Sequence, residues 1–286
     1  MDPLISIGMP VYNCESTIET AIRSIQNQTL CSWELIIIDD GSSDHTLELA
    51  RLVPDARIRV IADGRNLQLA ARLNQAVSLA RGRYFARMDG DDISYPLRLD
   101  KQLQFLQDNP NVDLVGSPML IFRSDGSIKS VTPMVVHHEQ ICGSLWSGFN
   151  LSHPTWVAET SWFRSHPYDP EATLTQDREL LMRSHRDSRF AAVPEILFAW
   201  RQDAVLLSKV IPMRLQLRSF MWRYYNAQGE RVRAVLKATI ETGKLGADVL
   251  AEVSGLNYRQ WRAARVPIDE RTRLQWQELW REVNAA

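Results

Sequence analysis

At 286 residues, with 45% hydrophobic and 23% charged side chains, the chain has room for one large domain or an ordinary domain plus an appendage, and its composition is that of a folded protein. A formal net charge of −1 argues against a general nucleic-acid binder, so any basic surface must be local. Cys14, Cys31 and Cys142 make an odd set without a CxxC pair, which suggests neither a disulfide framework nor a thiolate zinc site and fits a reducing compartment.

Leu4 to Met9 reads as a first strand, ended by Pro10-Val11-Tyr12-Asn13. It starts without the basic and extended apolar regions of a signal peptide, and no apolar run reaches membrane-spanning length, so the expected location is the cytosol. Ile18, Ala21, Ile22 and Ile25 recur at helical spacing. Trp33 to Ile38 is a continuous apolar run, the mark of a strand covered on both faces, and it ends in Asp39-Asp40-Gly41-Ser42-Ser43-Asp44. Asp44 or Ser43 is placed to cap a helix through Leu47, Leu49 and Leu52, and Ile58 to Ile61 supplies a third strand. Leu69, Leu73, Ala76, Val77 and Ala80 then share one helical face, with Gly82 expected to end that helix. Tyr84 to Met88 reads as a short buried strand, and Asp89-Gly90-Asp91-Asp92 follows at its carboxyl end.

Strands alternating with helices through short polar turns imply an α/β fold with a parallel sheet and right-handed crossovers. The turns gather along one edge, where open sheets bind ligands, so Asn13, Asp40 and Asp89 to Asp92 are expected to line one crevice. Three acids in four residues repel one another, and charge at the end of an apolar strand is costly unless compensated. A divalent cation held by oxygen ligands, Mg²⁺ or Mn²⁺, is the natural candidate. The plainer reading is a polar turn whose Asp side chains cap the helix beginning near Pro96.

That helix, with Leu99, Leu103, Phe105 and Leu106, runs to the breaker Asn109-Pro110-Asn111. Val112 to Phe122 reads as one strand, and Ser124-Asp125-Gly126-Ser127 as a hairpin turn into Ile128 to Val131. Gly143 to Pro154 is loop-like and carries Trp146, Phe149 and His153, as a binding wall or an irregular core would. His137-His138-Glu139 is not a HExxH zinc pattern. Thr175 is placed to cap a helix with Asp177 in its first turn, and Phe190 to Trp200 returns as a strand. From about Ser208 the chain reads as helical, with Met213, Leu217, Phe220, Met221 and Tyr224 on one face and Arg214 and Arg218 on another; further helices cover Val232 to Val253 and Thr272 to Val283. The expected division is an α/β domain at 1–207 and a helical extension at 208–286.

In this order the motifs Pro10-Val11-Tyr12-Asn13, Asp39-Asp40-Gly41-Ser42, Asn66 through Asn74, Ala80-Arg81-Gly82-Arg83-Tyr84 into Asp89-Gly90-Asp91-Asp92, Pro96-Leu97-Arg98-Leu99 through Gln102, His153-Pro154-Thr155 and Gln176-Asp177 make residues 4 to about 205 similar to the inverting glycosyltransferases of family 2. The resemblance implies a GT-A fold, a mixed, mainly parallel sheet flanked by helices. It implies that Pro10, Tyr12, Asn13 and Asp40 face the base and ribose of a nucleotide-sugar donor. It further implies that Asp89 lies near the ribose or metal, that Asp91 holds the Mn²⁺ or Mg²⁺ bridging the diphosphate, and that Asp177 is the base activating the acceptor hydroxyl. His153 and Arg201 are implied as residues of the acceptor site or its loop, Arg201 also as a phosphate contact. The implied reaction moves a sugar, from a UDP-linked donor, onto a saccharide or lipid-linked glycan in surface polysaccharide biosynthesis. Two departures stand out: Gln176 where the family has Glu, and Gln68 where it often has Gly. Arg65 and Arg72 are nearby candidates for the diphosphate, although exposed helix arginines are more often solvated.

Other classes fit less well. A dinucleotide-binding dehydrogenase needs several glycines in its first turn, and Gly8 stands alone before Pro10. An EF-hand fails because Ser94 sits where that loop needs Gly. A noncatalytic nucleotide-sugar-binding or scaffold subunit would be favoured by loss of Asp91 or Asp177, and both are present. Trp222, Trp261, Trp276 and Trp280 lie among arginines near the C-terminus, which suits either peripheral attachment at the inner face of a membrane or packing on the catalytic domain or a second protomer. Packing is the favoured expectation, because apolar faces at helical spacing are usually core.

Overall fold

Strand β1 (Ile5–Val11) is buried along its whole length, and the architecture is laid out around it. The computed structural model describes residues 2–143, 149–203, 207–254 and 268–285. β1 pairs in parallel with β2 (Trp33–Asp39) on one side and β4 (Tyr84–Arg87) on the other, and β2 pairs in parallel with β3 (Ile58–Ala62). The crossovers are α1 (Ile18–Gln26), α2 (Thr46–Leu52) and α3 (Gln68–Leu79). Beyond β4 lie β9 (Val157–Glu159), antiparallel to both its neighbours, then β6 (Leu114–Gly116) and β10 (Phe190–Ala192), completing a seven-stranded sheet in the order β10-β6-β9-β4-β1-β2-β3.

Alternation along β2 explains why its run is apolar without interruption. Leu35 and Ile37 pack with Ile18, Ile22 and Ile25 of α1, whereas Ile36 and Ile38 pack with Leu73 and Val77 of α3. Helices therefore cover both faces, as a parallel sheet requires.

Two expected strands are each divided. Val112 to Phe122 gives β6 and then β7 (Met119–Phe122), and Phe190 to Trp200 gives β10 and then β11 (Phe198–Arg201). In both, the later half joins a second sheet of order β5-β11-β7-β8, with β5 (Ile93–Ser94) and β8 (Ile128–Val131) at its edges. Pro118 and Pro194 fall in the gaps, and neither has an N–H to donate to a ladder, so the chain changes sheets there.

Gly82 also differs from expectation. Helix α3 ends at an extended Ala80, and a Cβ on Gly82 would lie 2.6 Å from the backbone nitrogen of Ser6. This glycine permits close approach to β1. The same corner is tied by Glu34, 1% exposed, whose carboxylate accepts from Ser6 Oγ (2.7 Å), the Arg81 backbone N–H (2.8 Å), Arg81 Nε (2.9 Å) and Arg59 (3.1 Å). Burial pushes this carboxyl up, but those donors outweigh it and hold it below its ordinary range. A depressed folded-state value gives stability that is present above the unfolded value of about 4.3 and is lost as pH falls through the folded one. Glu34→Gln is therefore expected to lower stability by about 2 kcal/mol at pH 7, with the difference from wild type closing toward pH 3 in urea titrations.

The remaining helices are α4 (Arg98–Asp108), α5 (His138–Cys142), α6 (Thr160–Ser165), α7 (Gln176–Ser184), α8 (Leu207–Ala227), α9 (Arg231–Val253) and α10 (Glu270–Asn284), with a single 3-10 turn at His153–Thr155. Helices α8 and α9 form a hairpin whose Leu217 and Met221 pack with Met182 of α7. Arg214 of α8 pairs with Glu241 (2.9 Å) and Asp248 (3.1 Å) of α9 inside the hairpin. Helix α10 returns to the second sheet: Trp276, Leu279 and Val283 pack with Ile93, Leu120, Phe122 and Ala199. No helix among the described residues is long and apolar enough to cross a membrane. Trp146 and Trp261 lie outside the described residues.

Candidate active site at the carboxyl ends of the strands

The acid turn leaves β4 directly. Ligand oxygens of Asp89, Asp91 and Asp92 all lie within 4.8 Å of one another. Asp92 is fully buried; its Oδ1 accepts from the Arg201 backbone N–H (2.9 Å), while Oδ2 has no hydrogen-bond partner among the described residues. Burial, and then the charge of Asp89, pushes the Asp91 carboxyl up to about 6. Burial and the charges of Asp91 and Asp89 push Asp92 well above its ordinary value. Crowded acids with an orphaned buried oxygen suit a hard divalent cation such as Mn²⁺ or Mg²⁺, and Asp92 joins Asp91 and Asp89 as a residue able to hold it.

The turn is fixed from three directions. A Cβ on Gly90 would fall 2.6 Å from Val11 Cγ1, so the backbone passes too close to β1 for a side chain. Thr17 Oγ1 donates to Gly90 O (3.0 Å), and Arg201 Nε donates to Asp91 O (2.8 Å). Arg201, whose guanidinium lies 4.7 Å from the Phe122 ring centroid, is thus engaged with the acid turn itself. Beneath it, Arg87, 2% exposed, donates to Asp89 (2.5 Å) while its Nε and one terminal nitrogen lack hydrogen-bond partners among the described residues. An arginine inside the apolar strand Tyr84-Phe85-Ala86-Arg87 was the available signal for this internal counter-ion, and sequence reasoning passed over it.

At the neighbouring strand ends, Pro10 is buried within β1 beside Ile38 and Tyr12 is 51% exposed. Asn13 adopts the left-handed region (φ 51°), and its side-chain oxygen accepts from the Ser43 N–H (2.9 Å), joining the first two turns. Asp40 accepts the N–H groups of Leu67 (2.7 Å) and Gln68 (3.0 Å) and the Nε of Arg72 (2.8 Å). Arg72 is fully buried and also binds Asp63, so it is neither solvated surface nor a free diphosphate ligand. It ties β2 to α3. Gln68 carries φ 69°, which explains why glycine suits this position. Gln68→Gly removes roughly 1–2 kcal/mol of left-handed strain and adds roughly 0.5–1 kcal/mol of chain entropy. The expected net is a stabilisation of roughly 0.5 kcal/mol, read as a higher denaturant midpoint.

The facing wall comes from the later motifs. Arg98, fully buried, donates to Arg87 O (2.7 Å) and Pro154 O (3.1 Å), and Gln102 donates to Thr155 O (2.7 Å). Together they fasten α4 and the 3-10 turn to the end of β4. His153 is buried there with Nε2 2.9 Å from Tyr168 Oη, and burial followed by the nearby Arg87 charge pushes its ring well below the ordinary imidazole value. A neutral imidazole bonded to a phenol is a positioning element in this wall. Tyr168 is raised chiefly by burial, lowered by Arg87, and raised further by the carboxylates of Asp177 and Asp89.

Asp177 is half-buried, and among the described residues no hydrogen bond or ion pair engages its carboxylate. Gln176 beside it is buried with Oε1 lacking a hydrogen-bond partner among the described residues. Thr175 sits at the cap position, but its hydroxyl donates to Gln216 of α8 (3.1 Å) instead of capping the helix. Gln216 also accepts the Leu174 N–H (2.9 Å) and donates to Glu171 O (3.1 Å), so α8 holds the loop that delivers Asp177.

Residues 6–169 match the model of the family described as Glycosyl transferase family 2. The chain belongs to that family. It is 44% identical over 127 residues to "Putative glycosyltransferase EpsE" of Bacillus subtilis, covering 43% of this chain and 46% of that protein. It is 31% identical over 205 residues to "Uncharacterized glycosyltransferase MJ1057" of Methanocaldococcus jannaschii, covering 70% and 71%. It is 33% identical over 145 residues to the Escherichia coli "UDP-Glc:alpha-D-GlcNAc-diphosphoundecaprenol beta-1,3-glucosyltransferase WfgD", covering 50% and 57%. Two solved structures share the fold across 99% of this family 2 glycosyltransferase. S. aureus TarS 1-349 in complex with UDP-GlcNAc has TM-score 0.59 at 17% identity, with 82% of that chain covered. The Pyrobaculum calidifontis mannosyltransferase PcManGT, with GDP-Man and Mn2+, has TM-score 0.62 at 14% identity, with 85% covered. The GT-A expectation for the fold holds.

Proposed function

We propose that this family 2 glycosyltransferase is an inverting, metal-dependent enzyme that transfers a sugar from a UDP-linked donor to a saccharide or lipid-linked glycan in surface polysaccharide biosynthesis. The observation that carries the reading is the acid turn at the end of β4, where oxygens of Asp89, Asp91 and Asp92 lie within 4.8 Å of one another and the buried Asp92 Oδ2 has no hydrogen-bond partner among the described residues. That turn is suited to a cation, and Asp177 in the first turn of α7 offers a half-buried carboxylate that no hydrogen bond or ion pair engages among the described residues.

The Asp177 carboxylate takes the proton of the acceptor hydroxyl as its oxygen bonds to the anomeric carbon, and the bond from that carbon to the diphosphate oxygen breaks on the opposite face. The configuration inverts. Asp89, Asp91 and Asp92 would hold Mn²⁺ or Mg²⁺, which when bound offsets the charge gathering on the departing diphosphate. Tyr12 presents an exposed ring for the base. Asp40 has accepted three protein donors and, as a carboxylate with about four acceptor positions, retains capacity for a uracil ring N–H. The E. coli relative named for a UDP-linked donor and a diphosphoundecaprenol-linked acceptor supports the same substrate classes. Calorimetry with UDP- and GDP-sugars, with and without Mn²⁺, tests the proposal. Binding of a UDP-sugar only with the metal is expected, and no binding of any nucleotide sugar under either condition would overturn it.

A further inference from the structure

The hairpin of α8 and α9 has two unlike faces. One packs inward through Leu217 and Met221 and through the Arg214 pairs described above. The other exposes Leu215 and Trp222 on α8 and Val232, Val235, Leu236 and Leu250 on α9, each between 41% and 74% exposed. Positions 215 and 222 are seven residues apart, and 235, 236 and 250 lie three, four and eighteen residues after 232, so each set runs as a stripe along its helix. The stripes are neighbours in space, because Arg218, Ser219 and Trp222 line one groove with Thr239, Thr242 and Gly243.

Charge on this hairpin is sorted by sign. Lys209, Arg218, Arg223, Arg231 and Arg233 are exposed, whereas Glu230 is half-buried and Glu241 and Asp248 are buried. No acidic side chain described on α8 or α9 is exposed, in a protein whose net charge is −1. Apolar stripes flanked, among the described side chains, by exposed positive charge complement an anionic lipid surface, where the aliphatic and indole groups enter the interface and the cations meet headgroup phosphates. A second copy of the same face would oppose like charges.

We infer that the exposed face of the α8–α9 hairpin is a docking surface for an anionic lipid bilayer. The contact is peripheral, and it is independent of which donor and acceptor the catalytic site uses. It also bears on the chemistry, since Gln216 on α8 holds the loop leading to Asp177, so the surface that meets the lipid also supports the base.

The test is cosedimentation of the full-length protein, without nucleotide sugar, with vesicles of phosphatidylcholine alone or mixed with phosphatidylglycerol. Partition onto the mixed vesicles only, reversed by about 0.5 M salt, is expected. The pair R218Q/R223Q should weaken partition about 25-fold and the pair W222Q/L236Q at least about tenfold. Melting curves report whether each variant is folded; should the apolar pair unfold, the charge pair decides alone. Failure of the wild type to sediment with mixed vesicles, or equal partition by wild type and the folded variants, would overturn the inference. A concentration-dependent dimer seen by ultracentrifugation, lost in W222Q/L236Q and unaccompanied by vesicle binding, would assign the face to a second copy and overturn it as well.

Discussion

Asp177→Asn is expected to lower kcat about 10³-fold while the donor dissociation constant changes by less than about twofold, because a positioned general base contributes roughly 10²–10⁴. The amide keeps the size of the carboxylate and cannot take the acceptor proton. With no partner holding Asp177 among the described residues, the substitution leaves no hydrogen bond broken there, so folding should be unaffected. Single-turnover rates and donor calorimetry on the same preparation separate the two effects. If affinity and rate fell together, Asp177 would belong to the donor pocket.

A second large effect is expected at the cation end. Asp91→Asn should raise the donor dissociation constant measured with Mn²⁺ more than about 100-fold, several kcal/mol of lost electrostatic stabilisation, and chelation of the wild type should produce the same loss. The pH dependence has a definite sign. The Asp91 carboxyl, pushed up to about 6 by burial and Asp89, must lose its proton before it can accept a cation. Affinity for Mn²⁺ is therefore expected to fall about tenfold per pH unit below about 6. Without metal, a raised carboxyl acts on stability in the sense opposite to Glu34: the folded state binds the proton more tightly, so this contribution grows as pH falls from about 6 toward 4. Mn²⁺ affinity that stays flat from pH 7 to 5 would count against Asp91 as a ligand.

The strand-end turns were legible because each interrupts an apolar run with a burst of polar residues. Asp39-Asp40 and Asp89 to Asp92 stand out on that ground, and strands β1 to β4 with their helices follow from period alone. Other features depend on partners distant in sequence. Arg72 looks like any helix arginine until Asp40 and Asp63 close on it, 32 and nine residues away. His153 is equally ambiguous until Tyr168 is seen against it. Division of the strand containing Pro118 was written in the sequence as a missing donor, but an apolar run on both sides concealed it. Gln68 marks the converse case, a residue noticed only as a departure from the family pattern, whose meaning lies in a backbone angle.

Helix α10 covers the second sheet and reaches the acid turn through Arg201. Trp280 lies against the position where a Cβ on Gly126 would fall, Trp276 Nε1 donates to Gly126 O (2.8 Å), and Arg23 donates to Val283 O (2.7 Å) and Ala285 O (2.6 Å). The Arg201 guanidinium that braces the acid turn is itself 5.8 Å from the Trp280 ring centroid. Without α10 the Arg201 guanidinium would lose one of its two aromatic neighbours, so removal of that helix is expected to loosen the turn carrying Asp89, Asp91 and Asp92, seen as faster amide exchange there.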